Sequence, residues 1–198
     1  MASQHPHILN AQTTVLVVVD MQEPFFNPIF EKERLLNNVR MLMEGAGILG
    51  VPVIITTQYA SRMGGVLPEI QELLPAPQPA LDKLCFSCYA DPVFAAEIAR
   101  LDRHQVLLCG IETHICVSQT AHGLLAAGYQ AHVAVDAVSS RTEENWRLGL
   151  EKMRQSGVIL ASVESALYEM MQEAGTPPFR QMLQLVKKAA ERQQETGP

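Results

Sequence analysis

The chain has 198 residues, of which 47% are hydrophobic and 18% are charged. This composition provides apolar surface for a sizeable core, so intrinsic disorder and a fibrous repeat are excluded. The 21 acidic and 15 basic side chains give a net charge of −6, and the basic residues are scattered along the chain. Because nucleic acids and anionic membranes are bound through basic patches, we expect neither partner and favour a small molecule or a protein.

The chain is expected to form one domain over residues 1–198, with residues 1–12 as an N-terminal tail. This tail lacks the basic cluster and apolar stretch of a secretory signal. The strongly apolar run at residues 15–19 is far shorter than the roughly 20 residues that cross a bilayer. Few cysteines suit a reducing compartment better than a disulfide scaffold. We therefore expect a cytoplasmic protein.

Five short β-rich segments follow the tail, and most are continuously apolar, as strands buried on both faces are. They cover residues 14–20, 51–57, 105–110, 130–136 and 157–162. A sixth strand is expected near residues 79–82, where Pro75, Pro77 and Pro79 make it short or place it at an edge.

Segments with helical spacing separate these strands. Apolar residues along 31–49 form one stripe, and Asp91 followed by Pro92 predicts a capped helix start. Thr142 opens another helix, and residues 177–198 are expected to form a last helix with a polar end that frays. Alternating strands and helices indicate parallel strands with right-handed crossovers. The predicted fold class is α/β: a three-layer αβα sandwich around a mostly parallel, six-stranded, Rossmann-like sheet.

Three reactive residues lie near the ends of different predicted strands, where open α/β folds bind ligands. Asp20 follows five apolar residues, Lys83 follows the proposed edge strand, and Cys116 lies at a strand-to-helix turn. A helix N-terminus is expected to lower the pKa of the Cys116 thiol and favour the thiolate. Each residue also has an ordinary interpretation, as a capping aspartate, a surface lysine and a small buried cysteine.

Four segments in order carry a resemblance to a known family. They read VDMQ (residues 19–22), DKLCFS (82–87), GIETHICV (110–117) and DAVSSR (136–141). With these segments the sequence resembles the isochorismatase-like cysteine hydrolase superfamily over roughly residues 14–187. Within it, TQY (57–59), ETH (112–114) and PF (178–179) look most similar to the isochorismatase domain-containing proteins.

The resemblance implies an isochorismatase-like hydrolase fold and a catalytic triad of Asp20, Lys83 and Cys116. Asp20 is then the general base on the thiol and later the acid toward the leaving group, while Lys83 keeps that carboxylate ionised. Backbone N–H groups of Glu112 and Cys116 are implied to form the oxyanion hole, with a cis peptide bond between Ile111 and Glu112. The expected reaction is cleavage of an amide-type C–N bond of a small molecule through a thioester-type intermediate.

No cofactor and no metal are expected. Nicotinamidases of this superfamily bind a metal through an Asp-x-His and a further His after the second strand, whereas residues 58–63 here read QYASRM. Isochorismatases cleave a vinyl ether without a cysteine, so Cys116 favours acyl transfer. Cys85 and Cys88 form one Cys-x-x-Cys pair, which lacks the second pair or histidines of a zinc site and the context of a redox dithiol.

Aromatic residues after the strands are candidates for the pocket wall. Phe25, Phe26, Tyr59 and Phe86 either contact substrate or pack in the core, and His114 in the cysteine turn either faces substrate or bonds locally. Of these, Phe26, Tyr59, Phe86 and His114 are taken as the substrate-binding residues.

Two other functions stay open at this point. One is a binding or scaffold protein with weak or no catalysis, because a fold alone does not secure a function. The other is a non-covalent acid–base hydrolase that uses Asp20 and Lys83. The resemblance and the apolar face of the last helix also predict a homo-oligomer, either a dimer or a tetramer.

Overall fold

A six-stranded sheet forms the centre of the computed structural model, which describes residues 5–74 and 79–195. The strands are β1 (Thr14–Val19), β2 (Val53–Gln58), β3 (Leu81–Lys83), β4 (Gln105–Ile111), β5 (Gln130–Ser139) and β6 (Ile159–Ala161). Their order across the sheet is β3-β2-β1-β4-β5-β6, and all neighbouring pairs are parallel. The predicted six-stranded parallel sheet is confirmed.

Helices cover both faces of this sheet. In chain order they are α1 (Glu23–Phe26), α2 (Lys32–Leu49), α3 (Ala60–Met63), α4 (Pro68–Gln71), α5 (Pro92–Arg100), α6 (Ser118–Ala126), α7 (Glu143–Gln155), α8 (Val163–Met171) and α9 (Pro177–Glu195). Helices α2, α8 and α9 pack on one face, and α5, α6 and α7 pack on the other. The three-layer αβα sandwich is therefore confirmed.

The central strand β1 is buried on both faces. Val15, Val17 and Val19 pack into the core on the α5–α7 side, whereas Leu16 and Val18 pack on the α2 side. Successive side chains of a strand point to opposite faces, so a strand between two helical layers must be apolar throughout. The rigid strand that results delivers the next residue, Asp20, to its carboxyl end.

The connections place a crevice at that end of the sheet. From β1 the chain builds outward through β2 to β3, then crosses back to β4 on the other side of β1 and builds outward to β6. The direction of winding therefore reverses between β1 and β4. In doubly wound folds this switch point lies below the crevice in which ligands bind.

Predicted helix caps agree with the structure. The side chain of Asp91 accepts hydrogen bonds from the N–H groups of Val93 and Phe94 at 2.9 and 3.2 Å. The hydroxyl of Thr142 accepts one from the N–H of Asn145 at 3.2 Å. Each cap satisfies backbone donors that have no partner within the helix.

The chain ends differ from the sequence-based expectation. Leu9, inside the expected N-terminal tail, is fully buried, and its N–H donates to Oε2 of Glu169 at 3.0 Å. Helix α9 continues to Glu195, past residue 191 where the expected polar end begins, and its Met182 and Leu185 pack against the core. Residues 196–198, which belong to the expected fraying end, lie outside the described residues.

Two further elements differ from the sequence-based prediction. The edge strand runs over Leu81–Lys83 and not over residues 79–82, while Pro75 and Pro77 lie outside the described residues. Helix α8 was not predicted, because its N-cap, Ser162, was assigned to the end of the last strand.

Over the described part of the chain, no helix combines the length and apolar character needed to cross a bilayer.

Candidate active site

Asp20 and Lys83 form a buried ion pair at the carboxyl end of the sheet. Asp20 follows β1, and Lys83 is the last residue of β3, 63 positions later. Nζ of Lys83 is 2.7 Å from Oδ2 of Asp20, and each side chain is only 2% exposed. At such depth, removing either partner would leave an uncompensated buried charge.

Two side chains of β2 complete the hydrogen bonds of this pair. The hydroxyl of Thr56 donates to Oδ1 of Asp20 at 2.8 Å, and Nζ of Lys83 also donates to Oε1 of Gln58 at 2.7 Å. Strand β2 lies between β1 and β3, so its end reaches both the carboxylate and the ammonium. Both carboxylate oxygens of Asp20 therefore have a donor.

The ammonium group of Lys83 keeps its charge despite burial. Burial disfavours the charged form, but the negative charge of Asp20, with smaller effects from Cys88 and Cys116, raises the pKa of Lys83 above its ordinary value. Lys83 is thus positively charged at neutral pH.

Cys116 lies next to Asp20 in the turn that follows β4. The residue belongs to a π-helical turn, Thr113–Val117, and is 7% exposed. Burial raises the pKa of the Cys116 thiol, and both the charge of Asp20 and a hydrogen bond with it act in the same direction, while Lys83 acts against them. The expectation of a lowered thiol pKa is therefore wrong in sign. At rest the sulfur holds its proton beside a carboxylate that can accept it.

The turn that carries Cys116 is held tightly by its neighbours. Gly110 has a φ of 105°, and a Cβ there would lie 2.2 Å from the carbonyl oxygen of Val19. The peptide bond between Ile111 and Glu112 is cis, as the resemblance implies. On the other side, a Cβ on Gly149 of α7 would lie 2.9 Å from the backbone of His114. Only glycine permits these close approaches.

A pocket of about 340 Å³, counting the open space at its mouth, lies over Cys116. Its lining residues are Asp20, Phe25, Gln58, Phe86, Ile111, Glu112, Ile115 and Cys116. Of the proposed triad, Asp20 and Cys116 face this pocket, and Lys83 lies behind Asp20. The structure thus brings all three residues together.

The expected substrate-binding residues do not all line this pocket. Phe86 does, but Phe26, Tyr59 and His114 are not among its lining residues. In α1 it is Phe25 that lines the pocket, whereas the ring of Phe26 lies 6.0 Å from Nζ of Lys32.

Local contacts explain where the other two residues lie. Nδ1 of His114 is 3.0 Å from Oγ of Ser140, and burial lowers the pKa of this imidazole. Tyr59 follows β2 with a left-handed φ of 53°, and its N–H donates to the carbonyl of Lys83 at 2.9 Å. That turn carries the Tyr59 ring outward, where it is exposed.

Thr56 and Gln58 were not predicted as site residues, although the sequence contains a signal for them. They stand two positions apart in β2, so both project from the same face, whereas the hydroxyl of Thr57 donates in the other direction, to Asp82 at 3.0 Å. Polar residues at alternate positions near the end of a buried strand, beside the strand that carries Asp20, are unusual enough to indicate a site.

The two cysteines of the Cys-x-x-Cys pair have different surroundings. Cys85 is exposed, whereas Cys88 is fully buried below the Asp20–Lys83 pair. The S–H of Cys88 donates to Oγ1 of Thr56 at 3.7 Å. Burial, together with the charge of Asp20, raises the pKa of Cys88 to about 11, so this thiol is protonated at neutral pH.

Comparison with known proteins shows which family the chain represents. The Isochorismatase domain model matches residues 14–165. The chain belongs to the isochorismatase family. This isochorismatase-family protein is 42% identical over 178 residues to the secreted isochorismatase effector Isc1 of Phytophthora sojae strain P6497, covering 88% of this chain and 85% of the relative.

Two further relatives of this isochorismatase-family protein agree with the assignment. Isochorismatase domain-containing protein 2 of Danio rerio is 35% identical over 178 residues, covering 90% of this chain and 89% of the relative. A solved structure, the MAR1 ribonuclease of Caenorhabditis elegans, is 34% identical with a TM-score of 0.84, covering 90% of this chain and 92% of the other. The predicted resemblance is confirmed, and the protein is a member of an isochorismatase-like hydrolase family.

Proposed function

We propose that this isochorismatase-family hydrolase cleaves an amide-type C–N bond of a small molecule, with Cys116 as the nucleophile. The observation that carries the proposal is the position of the Asp20 carboxylate, which contacts the Lys83 ammonium on one side and interacts with the Cys116 thiol on the other, at the base of one pocket. A nucleophile beside a base that is itself oriented by a third group is the arrangement of covalent catalysis.

In the first half of the proposed reaction, Asp20 takes the proton of the Cys116 thiol as the sulfur attacks the amide carbon. The new C–S bond turns the carbonyl oxygen into an oxyanion, which the N–H groups of Glu112 and Cys116 would stabilise. Asp20 then returns the proton to the leaving nitrogen, the C–N bond breaks, and a thioester remains on Cys116.

In the second half, Asp20 takes a proton from water as the water oxygen attacks the thioester carbon. The C–S bond breaks, the acid product leaves, and the sulfur regains a proton from Asp20. Each proton transfer between Cys116 and Asp20 moves one negative charge from one group to the other, and the Lys83 ammonium compensates that charge wherever it lies. A buried site favours such transfers over steps that create a new charge.

The proposal is tested by replacing Cys116 with Ala and measuring ammonia or amine release from a panel of small amides. We expect the variant to lose the activity, by a factor of at least about 10². Cys85→Ala is the matched control, because Cys85 is exposed and does not line the pocket, and it should keep the wild-type rate.

The same panel separates the two alternatives. If the wild type and Cys116→Ala hydrolyse amides at the same rate and Asp20→Asn does not hydrolyse them, the mechanism is non-covalent acid–base hydrolysis and not covalent catalysis. Absence of turnover in the wild type, together with Cys116 alkylation that does not respond to Asp20→Asn, would favour a binding or scaffold protein. RNA belongs in the panel because the Caenorhabditis elegans relative is called a ribonuclease, but the net charge of −6 predicts no cleavage here.

A further inference from the structure

The pocket wall is mostly apolar on the sides that would surround an acyl group. Phe25 and Phe86 contribute aromatic rings, and Ile111 and Ile115 contribute branched aliphatic side chains. Small-molecule pockets of this kind bind mainly through apolar contact and use a few polar groups to orient the ligand. Which ligands are accepted therefore depends on the charges among the remaining lining residues.

Those remaining residues include two carboxylates, Asp20 and Glu112. The cation that pairs with Asp20 is Lys83, which does not line the pocket and also donates to Gln58. The cation that pairs with Glu112 is Arg141, whose backbone N–H and Nε both donate to Oε2 of Glu112, at 3.0 and 3.1 Å. Among the described residues, the pocket lining thus includes two carboxylates, while neither of the cations paired with them lines the pocket.

The amide of Gln58 is already hydrogen-bonded through both its oxygen and its nitrogen. Its Oε1 accepts a hydrogen bond from Nζ of Lys83 at 2.7 Å, and its Nε2 donates to the carbonyl of Leu84 at 2.9 Å. A ligand carboxylate would therefore meet two like charges in a partly desolvated space, with only the second N–H of Gln58 Nε2 left as a side-chain donor from that residue. Like charges at low local dielectric repel strongly.

We propose that the pocket selects small amides whose acyl group is apolar and carries no negative charge. This inference rests on the proposed function, since it describes what the same site accepts. The exclusion of anions comes from Glu112 and Asp20, and the attraction of apolar groups comes from the two phenylalanines and two isoleucines.

The test uses two aldehydes of similar size and shape, one of which is apolar and the other negatively charged. Isocaproaldehyde ends in a dimethyl branch, and succinic semialdehyde carries a carboxylate of the same size at that position. Each adds reversibly to a thiol: a C–S bond forms, the C=O double bond becomes a C–OH group, and the thiol proton moves to that oxygen. Binding is measured as protection of Cys116 from iodoacetamide, in a Cys85→Ala background that removes the exposed competing thiol.

We expect isocaproaldehyde to protect Cys116 at a concentration at least about tenfold below that of succinic semialdehyde, a difference that two nearby carboxylates readily supply. Equal or better protection by the anion would overturn the inference, and so would protection by neither compound. If the anion protects and Arg141→Gln abolishes that protection, Arg141 leaves Glu112 to bind carboxylates and the substrate class is anionic.

Charge and shape are separated by Glu112→Gln, which keeps the size of the side chain and removes its charge. This variant should bring the two protecting concentrations closer together. Glu143→Gln on the exposed face of α7 makes the same change in net charge away from the pocket lining and should leave the ratio unchanged. An unchanged ratio in Glu112→Gln would contradict the electrostatic origin. Failure of the proposed function gives a different result, in which Cys116→Ala hydrolyses amides as fast as the wild type.

Discussion

At the scale of single residues, the carboxylate of Asp20 has two opposite effects on Cys116. Its negative charge raises the pKa of the thiol, so little thiolate exists at neutral pH. In the proposed reaction the same carboxylate takes the thiol proton when substrate is present. Reactivity toward a simple alkylating agent and turnover of an amide should therefore respond in opposite directions when this charge is removed.

Asp20→Asn makes this opposition measurable. We expect the pH midpoint for alkylation of Cys116 to fall, because the charge of Asp20 and its hydrogen bond with the thiol, which both raise the thiol pKa, are removed. Alkylation near neutral pH then becomes faster while amide hydrolysis is lost. Asp102→Asn is the matched control, since Asp102 is exposed and has a left-handed φ of 52°, close to the 51° of Asp20. Asparagine accepts that conformation. Parallel loss of both reactivities in Asp20→Asn would contradict the assigned roles.

Thr56 is expected to position Asp20 through its hydroxyl. Thr56→Val keeps the shape and removes the hydrogen bond to Oδ1, whereas Thr56→Ser keeps the hydrogen bond and removes a methyl group. A hydrogen bond to a charged group contributes roughly 1.5–3 kcal/mol, so the Val variant should lose about 10- to 100-fold in kcat while KM changes little. The Ser variant should retain activity even if urea unfolding shows it to be less stable. Activity that follows stability in both variants would indicate a structural role alone.

At the scale of elements, the sequence predicts the strands well because each buried strand is apolar on both faces. The residues around the pocket are harder to predict. Phe25 and Phe26 are adjacent and chemically identical, and only the orientation of the single-turn helix α1 decides that Phe25 lines the pocket. Likewise, the short edge strand Leu81–Lys83 carries no periodicity, so the contact of Lys83 with Asp20 followed from the family resemblance and not from the pattern.

Gly110 should be indispensable to the packing of β4 against β1. Gly110→Ala would place its Cβ 2.2 Å from the carbonyl oxygen of Val19, in addition to a φ of 105° that disfavours any side chain. Gly157→Ala is the control, because its φ of 93° has the same conformational problem with no atom within 4 Å. Gly157→Ala should lower the free energy of unfolding, measured in urea, by about 1–2 kcal/mol, and Gly110→Ala should lower it clearly further. Equal losses would mean that β4 shifts to relieve the contact.

At the scale of the whole molecule, helix α9 packs against α2 within the same chain. Met182 and Leu185, on the apolar face of α9, pack into the chain's own core beside α2. The prediction of a dimer or tetramer now depends on the family resemblance, and Leu84 and Phe86 are exposed apolar residues that a second copy could cover. Sedimentation at micromolar concentration should give the mass of a dimer or tetramer. A monomer at every concentration would contradict the prediction.

The compartment also stays a prediction. The sequence favours the cytoplasm, while the Phytophthora sojae relative is named a secreted effector. The two locations impose different redox conditions on the four free cysteines, of which Cys85 is exposed.

The ion pair of Asp20 and Lys83 also makes the stability of the edge strand β3 in the sheet depend on the balance of these two charges. Because Asp20 follows β1 and Lys83 belongs to β3, with β2 between the two strands, neither charge is compensated until that side of the sheet is assembled. Amide hydrogen exchange in residues 81–83 should accelerate when either group alone is neutralised. Asp20→Asn combined with Lys83→Met should slow it again, since removing both charges restores electrical balance.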